Sequence, residues 1–456
     1  MKGVRWMLVC ALCACVVGPV AAGPLELVDV YDAALEEDAR YRAAAAERDA
    51  AAQAVAIARA ALLPRADFGY SLRRLDGTRE LIGARAGVPP SPLKVTSEQV
   101  IAQLRQPLFD VAALLAYRGA RAEDAGAASA GDERRNEITR LVVRAYLDLV
   151  VADTEVARLR RERRSYRQLL RIAEARVAAG EGTAGDVAEA RAQVLVTDDS
   201  LQRAREERAV ARRALALVTG IPHPRVPAFA STLPPLADDR RLADWRAEAL
   251  LRSPLLEAHR QKVAAAEWKL KQARAGHLPT VDAVAGWNSA ASESLATLEQ
   301  RSDYYSAGIQ IDVPLFAGGA LLARGRQAGA ERDAATYALE AARDERLLDV
   351  ERNYREMRNA RRAVGAMAEV SVARLEAEHA VEQAYRAGEA ALIDVIEASQ
   401  RREDAEFRTL GARARVVNAV AELVAVTRII ERGDLLDFGG FFEPADAVPA
   451  DAARAR

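Results

Sequence analysis

Two hydrophobic periods alternate along this chain. Val142, Leu149, Val156, Leu170 and Val177 keep a seven-residue spacing broken only by Arg163, and Ala145, Ala152, Leu159, Tyr166 and Ala173 fill a second seam. Later, Val395, Val416, Leu423 and Ile430 stand beside Ala398, Ala405, Ala412, Ala419 and Val426. A 3.5-residue period predicts helices that supercoil with a left-handed sense. Alanine in the seam predicts close backbone approach. An ordinary helical bundle shares this period, but length argues against one. From 111 to 179 only Gly119, Gly126 and Gly131 interrupt the pattern, and from 321 to 387 only Gly325, Gly329 and Gly365. At about 1.5 Å per residue, each run predicts a rod of about 100 Å.

In four short blocks the period becomes two. After Leu63-Pro64, Phe68, Tyr70 and Leu72 alternate with Asp67, Gly69, Ser71 and Arg73. Before Pro314, Tyr305, Ala307, Ile309, Ile311 and Val313 alternate with Tyr304, Ser306, Gly308, Gln310 and Asp312. Blocks near 96–106 and 281–288 alternate less cleanly. Strands are expected at 66–75, 95–107, 280–290 and 302–313, with helix–strand junctions at Pro64, Pro107, Pro279 and Pro314. A strand of about ten residues with one apolar face is long enough to cross a bilayer in a β-barrel. Soluble hairpins would need an apolar cover, and the rest of the chain is helical rod. Four strands cannot close a barrel, and strands in lipid cannot leave open edges. Several chains must therefore share one barrel. Two would give eight strands with a filled interior, and three would give twelve with room for a lumen.

The pattern occurs twice. "GEGTAGDVAEA" at 180–190 returns as "GEAALIDVIEA" at 388–398. "ALLPRADFGY" at 61–70 matches "GHLPTVDAVAGW" at 276–287, and "RQPLFDVAALLAYRGARA" at 105–122 matches "DVPLFAGGALLARGRQAGA" at 312–330. The layout expected is a leader (1–22), a first repeat (23–218), a linker (219–240), a second repeat (241–432) and a tail (433–456). Five prolines keep the linker from continuing a helix. The tail shows no periodicity and reads as loose.

Composition narrows the class further. The chain has 456 residues and is 50% hydrophobic but only 5% aromatic, which fits long helices packed through small residues. A net charge of −1 gives no basic footprint for nucleic acid. Lys2 and Arg5 precede an apolar stretch that ends at small residues before Gly23, the pattern of a secretory signal peptide cleaved after Ala22. "LCAC", ending at Cys15, resembles a lipobox and would instead leave a lipidated cysteine. All three cysteines (Cys10, Cys13 and Cys15) lie in this leader, so no disulfide or thiolate metal site is expected beyond it. His223, His259, His277 and His379 lack ligand spacing. "GEGTAGD" lacks the Lys-Ser/Thr of a phosphate loop. No catalytic or cofactor-binding motif is present, and an enzyme is not expected.

The doubled "LLP" and "PLF" marks, the Gly-rich "FAGG" and the "YRAGEAALIDVIEA" turn resemble the TolC family of outer-membrane channel proteins. The start of the processed chain, "LELVDVYDAALEEDARYRAAAAE", is most similar to its type I secretion branch. The resemblance spans about residues 25–432. It implies a mainly α fold of long coiled-coil hairpins in two tandem repeats, with four strands per chain contributing to a twelve-stranded barrel shared by a homotrimer. It also implies a place in the cell outer membrane, amid its lipid, with a hollow helical cylinder crossing the periplasm. A periplasmic adaptor protein and an inner-membrane transporter, ABC-type or proton-driven, are the implied partners. The implied function is an exit duct for proteins or small toxic compounds. The alternatives, a periplasmic adaptor or a secreted structural coiled coil, fit less well with two equal hairpins and four bilayer-length blocks.

The resemblance also assigns the repeated turns. They become the inward tips of the hairpins, turning at Gly180 and Gly388. Asp186, Glu189, Asp394 and Glu397 sit at the starts of the returning helices, where carboxylates also suit the positive helix end. Asp394 and Glu397 match luminal acids that bias the entrance toward cations. Tyr385 and Asp186 match groups that tie the tips shut. Where the family pattern can carry a linking basic residue, this chain has Ala390, leaving Arg386 as the substitute for tip closure.

Overall fold

A computed structural model describes residues 24–79, 91–230, 240–292 and 300–443. The expected leader, residues 231–239 of the linker and 444–456 of the tail lie outside them. The chain runs α1 (Leu27–Glu37), α2 (Ala39–Ala60), β1 (Arg65–Arg79), β2 (Ser91–Phe109), α3 (Val111–Ala178) and α4 (Ala184–Thr219). It then repeats this order with α5 (Leu242–Arg252), α6 (Pro254–Ala275), β3 (Thr280–Ser292), β4 (Gln300–Asp312), α7 (Ala320–Ala387) and α8 (Leu392–Thr427), and ends in α9 (Arg432–Gly439). No described helix is long and apolar enough to cross a membrane.

The rods are α3 and α7, 68 residues each, or about 100 Å. α3 folds back into α4 and packs also against α2 and α6, while α7 folds back into α8 and packs against α6. The heptad seams face inward. Val142, Leu149, Val156, Leu159, Tyr166 and Ala173 are buried, as are Val395, Ala398, Ala405, Ala412, Val416, Ala419, Leu423 and Val426. Val177 departs from the pattern and is exposed in the last turn of α3. One of the interrupting glycines marks a close approach: a Cβ on Gly126 would lie 3.2 Å from the Gln261 Cβ of α6.

The four strands form one antiparallel sheet in the order β1-β2-β3-β4. Its register sorts the side chains into two faces. Phe68 pairs with Ala102, Ala102 with Trp287, and Trp287 with Tyr305, while the neighbouring row is Ala66, Leu104, Ala285 and Ala307. The opposite face carries rows such as Asp67, Gln103, Gly286 and Ser306. There Arg105 donates to the buried Asp282 carboxylate at 2.5 Å. The apolar face is open: Phe68 is 73% and Tyr305 86% exposed. The outer edges of β1 and β4 have no neighbour among the described strands.

Three features differ from the sequence reading. The first hairpin is longer than expected, because β1 and β2 stay paired as far as Arg79 and Ser91. Pro107 is not a helix–strand junction. It lies inside β2, where the pairing with β3 slips between Pro107 and Phe109, as a residue without an N–H allows. The junction is Asp110, whose carboxylate caps α3 by accepting from the Ala113 N–H at 2.8 Å. Pro64 and Pro279 directly precede β1 and β3, and Pro314 follows the end of β4.

The third difference is the tail, which is not loose from 433. Arg432–Gly439 is helical, and Phe438, Phe441 and Phe442 are buried. Phe442 bridges Phe229 of the linker, with Ala230 N–H donating to Phe441 O and Glu443 N–H to Ala228 O, both at 2.9 Å. The Phe442 ring stands edge-on to Tyr146 of α3, with centroids 5.0 Å apart. Arg428 adds two hydrogen bonds to the Asp434 carboxylate. Linker and tail thus form a girdle around the principal core, which also includes Val30, Tyr31, Leu149, Trp245 and Leu423.

Asn136 ties the two repeats together at this level. Its side chain, 1% exposed, donates to Ala425 O and Arg428 O at 3.0 and 2.9 Å and accepts from the Ile430 N–H at 3.0 Å. It therefore satisfies groups that the end of α8 leaves over. Asn136→Ala strands those buried groups and is expected to cost about 2–4 kcal/mol. The check is a downward shift in the urea midpoint of the helical circular-dichroism signal in detergent; an unshifted midpoint would contradict it.

Candidate functional site

The hairpin ends farthest from the sheet are built from one backbone pattern used twice. Gly180 and Gly388 take φ of 77° and 80°, the left-handed region that a side chain resists. Glu181 N–H donates to Arg176 O and Glu389 N–H to Ala384 O, each at 2.9 Å. This six-to-one bond closes a helix end with a glycine in the left-handed position.

The returning helices start on acids. Thr183 precedes α4. Its hydroxyl accepts from the Asp186 N–H at 3.2 Å, while the Asp186 carboxylate accepts from the Thr183 N–H at 3.1 Å and hydroxyl at 2.9 Å. In the second repeat Ala391 has no hydroxyl, so only half of this arrangement survives: the Asp394 carboxylate accepts from the Ala391 N–H at 2.9 Å. Glu189, Asp394 and Glu397 are exposed. Glu397 accepts from Arg401, one turn along α8, at 2.6 Å.

The two tips are packed together. Tyr166, Ala173, Ala190 and Val194 of the first hairpin share a small core with Leu392 and Ile396 of the second, and Tyr385 packs at its edge. The cation that reaches Tyr385 is Arg176. Its guanidinium donates to the phenol oxygen at 2.7 Å and lies 5.1 Å from the ring centroid. Arg386, the substitute expected from the sequence, instead extends along its own helix toward Glu382 at 3.5 Å. Sequence reasoning missed Arg176. The available signal was the repeat itself, since the position equivalent to Arg176 in the second half is Ala384 and that equivalent to Tyr385 is Val177. Each half supplies one member of the pair.

Farther along the rods lies a cluster of buried charge. Arg158 of α3 pairs with Glu155 and Glu162, and Arg402 of α8 with Glu378, Glu403 and Glu406. Burial alone would lower both arginines, but the surrounding carboxylates outweigh it and hold them above the ordinary guanidinium range. Burial raises the Glu162 carboxyl, and Arg158 opposes that shift. The Arg158 guanidinium lies 5.6 Å from the Phe407 ring centroid, so the cluster joins the first hairpin to the second. Among the described residues no group of His, Cys, Asp and Glu is arranged to hold a metal ion.

Several known proteins are similar to this chain. The proteases secretion protein PrtF of Dickeya chrysanthemi is 27% identical over 434 residues, covering 94% of this chain and 93% of that protein. The alkaline protease secretion protein AprF of Pseudomonas aeruginosa is 29% identical, covering 90% of this chain and 86% of its own length. The crystal structure of the Campylobacter jejuni CmeC outer membrane channel superposes with a TM-score of 0.74 at 18% identity, covering 92% of this chain and 87% of that one. Both halves of the repeat match one family description, over residues 30–221 and 245–427, and the chain belongs to the outer membrane efflux protein family.

Proposed function

We propose that this protein is the outer-membrane exit duct of a type I secretion system, working as a homotrimer without catalytic activity of its own. It receives a protein substrate from an inner-membrane ABC transporter through a periplasmic adaptor. The observation that carries this reading is the sheet. Rows such as Phe68, Ala102, Trp287 and Tyr305, and Ala66, Leu104, Ala285 and Ala307, give one face large apolar side chains, rows such as Asp67, Gln103, Gly286 and Ser306 make the other more polar, and both edges are open. Lipid suits the first face, a water-filled lumen the second, and neighbouring copies the edges. The rods below are long enough to carry that lumen through the periplasm. Secretion of protein cargo is favoured over efflux of small compounds because PrtF and AprF, both named for protease secretion, align over nearly the whole chain.

In this reading the tips are the periplasmic entrance. Three copies of Asp394 and Glu397 give two carboxylate rings about 5 Å apart, and converging like charges in a narrow pore concentrate cations. The bond from Arg401 offsets part of the Glu397 ring, so Asp394 carries the larger share of the field. Asp186 and Glu189 belong to the first hairpin, and Asp186 accepts from both the Thr183 N–H and its hydroxyl, whereas Asp394 accepts from the Ala391 N–H alone. The Arg176–Tyr385 contact holds the second hairpin against the first and so favours the closed tip.

The secretion assay tests the whole reading. A clean deletion is expected to abolish release of the protein substrate encoded beside a transporter and adaptor, and restoring the gene to recover it. Unchanged release in a strain without a paralogue would refute the duct.

For the entrance, the Asp394→Ala, Glu397→Ala double variant is expected to lower cation preference in single-channel recordings and to weaken block by multivalent cations. The Asp186→Ala, Glu189→Ala variant should leave selectivity near wild type. Equal selectivity in all three proteins would reduce these acids to helix caps.

For closure, Arg176→Ala removes a charged hydrogen bond and a cation–π contact, together about 1–3 kcal/mol per chain. It should raise open probability and mean conductance, with Tyr385→Phe giving a smaller change in the same direction. Conductance no higher than wild type in either variant would rule the contact out as a latch.

A further inference from the structure

Partway along the rods the first hairpin meets the second through charge rather than through carbon. Glu162 of α3, Glu378 of α7 and Glu403 of α8 are all buried, at 9%, 8% and 6% exposure. Arg158 holds Glu155 at 2.7 Å and Glu162 at 3.0 Å, and Arg402 holds Glu378 and Glu403 at 2.5 Å and Glu406 at 2.7 Å. Two guanidinium groups thus face five carboxylates. Glu155 and Glu406 keep more of their surface in water than the other three do. Glu403 Oε2 and the Tyr166 hydroxyl are buried without a hydrogen-bond partner among the described residues. Glu162 and Gln400 lie close to that hydroxyl but outside hydrogen-bond geometry.

The fold does not require these charges. Counted from the paired glycines Gly180 and Gly388, Glu378 and Arg402 occupy the positions of Leu170 and Val194 in the first repeat. There the same two sites belong to the small apolar core at the tips. Glu162 likewise corresponds to Val370. A buried ion pair is often no more stable than the apolar contact that could replace it, so stability does not account for the cluster. A surplus of buried carboxylates does have a chemical consequence: it favours uptake of a proton.

We propose that Glu162, set near Glu403 across the contact between α3 and α8, is a proton-binding site that fastens the two hairpins together in acid and lets them part near neutrality. The site lies within one chain; only its consequence for the entrance rests on the duct reading. On α3 itself Glu162 has Glu155, Arg158 and Tyr166 around it. α8 brings Glu403, Gln400 and Arg402, and α7 brings Glu378 through Arg402. α4 meets the preceding turn with Leu201 and Ala204, and its Asp198 is engaged by Arg163.

The sign follows from these neighbours. Burial is the main influence and raises the Glu162 carboxyl; Arg158 and Tyr166 pull it down, and Glu403 and Glu155 push it up again. When the hairpins part, water reaches the carboxyl and its ordinary value returns. The packed state therefore binds the proton more readily. The contact is strongest at pH below the ordinary carboxyl range, and this gain is lost as pH rises through the raised value. The proton sits on a Glu162 oxygen. Arg158 keeps Glu155 as its counter-ion, and the new O–H is a donor in a cluster with acceptors to spare.

Residues 23–456 contain no cysteine, so spin labels on Ser165→Cys and Arg408→Cys, exposed positions of α3 and α8, report the spacing of the hairpins in the purified protein. Packed and parted populations are expected, their ratio about fivefold higher at about pH 5 than at about pH 7.5. Glu162→Gln, neutral at every pH, should hold the packed population at both. Glu403→Gln should narrow the response. The Asp394→Ala, Glu397→Ala variant should respond like the parent protein. A ratio in the parent that does not change with pH overturns the site, and so does a Glu162→Gln protein that responds as the parent does. If Glu162→Gln does not fold, an undiminished response in Glu403→Gln has the same force. Loss of the response in the Asp394, Glu397 variant moves the proton to the tips and also overturns the site. In planar bilayers the open probability should follow the parted population. An open probability that ignores a clear spin-label response overturns the link to the entrance, whereas a protein that forms no channel defeats the duct reading and leaves the proton site standing.

Discussion

A main chain in lipid has no water to bond with, so every N–H and C=O within the bilayer must find a partner in protein. That constraint governs this molecule. A sheet of four strands satisfies its interior and leaves two edges. In the proposed homotrimer, neighbouring copies cover those edges and enclose a lumen that gives the polar face its solvent. Arg105 and Asp282 illustrate the result: an ion pair tolerated on a transmembrane sheet because it lies on the face away from lipid. In the same proposed assembly the paired hairpins below would extend a ring of strands into a ring of rods.

Long thin rods solve a different problem. They have too little interior for a conventional core, and the low aromatic content reflects it. Alanine seams bring helices close enough to exclude water, and charges are then forced into partial burial. Arg158 and Arg402, each flanked by carboxylates of its own hairpin, add little net stability, since desolvation offsets most of the attraction in such pairs. Only at the girdle do large side chains such as Tyr146, Trp245 and Phe442 gather into a continuous core.

The helical architecture was readable because its signal is dense. A seam such as Val142, Leu149 and Val156 repeats over many turns, and one exception does not erase it. The strands were readable in kind but not in extent, because a strand ends where its partner does. Arg79 and Ser91 extend the first hairpin through pairing that neither residue announces alone. The tail was misread for a related reason. Phe438, Phe441 and Phe442 have no period, and their burial depends on Phe229 and Tyr146, far away in sequence. At the tips, the glycines and acids were visible because they recur. Arg176 and Asn136 were not, because each is a single polar residue whose role comes from what the other repeat sets opposite it.

The girdle has a mechanical consequence. Below it, α8 runs from Val416 back to Leu392 at the tip, about 25 residues or about 37 Å, with only small cores and ion pairs to brace it. The hairpins are therefore cantilevers clamped at one end. A rotation of about 5° at the clamp displaces the free end by about 3 Å over that length. A stiff clamp and a long arm convert a slight repacking around Asn136 and Phe442 into a much larger movement at the tip.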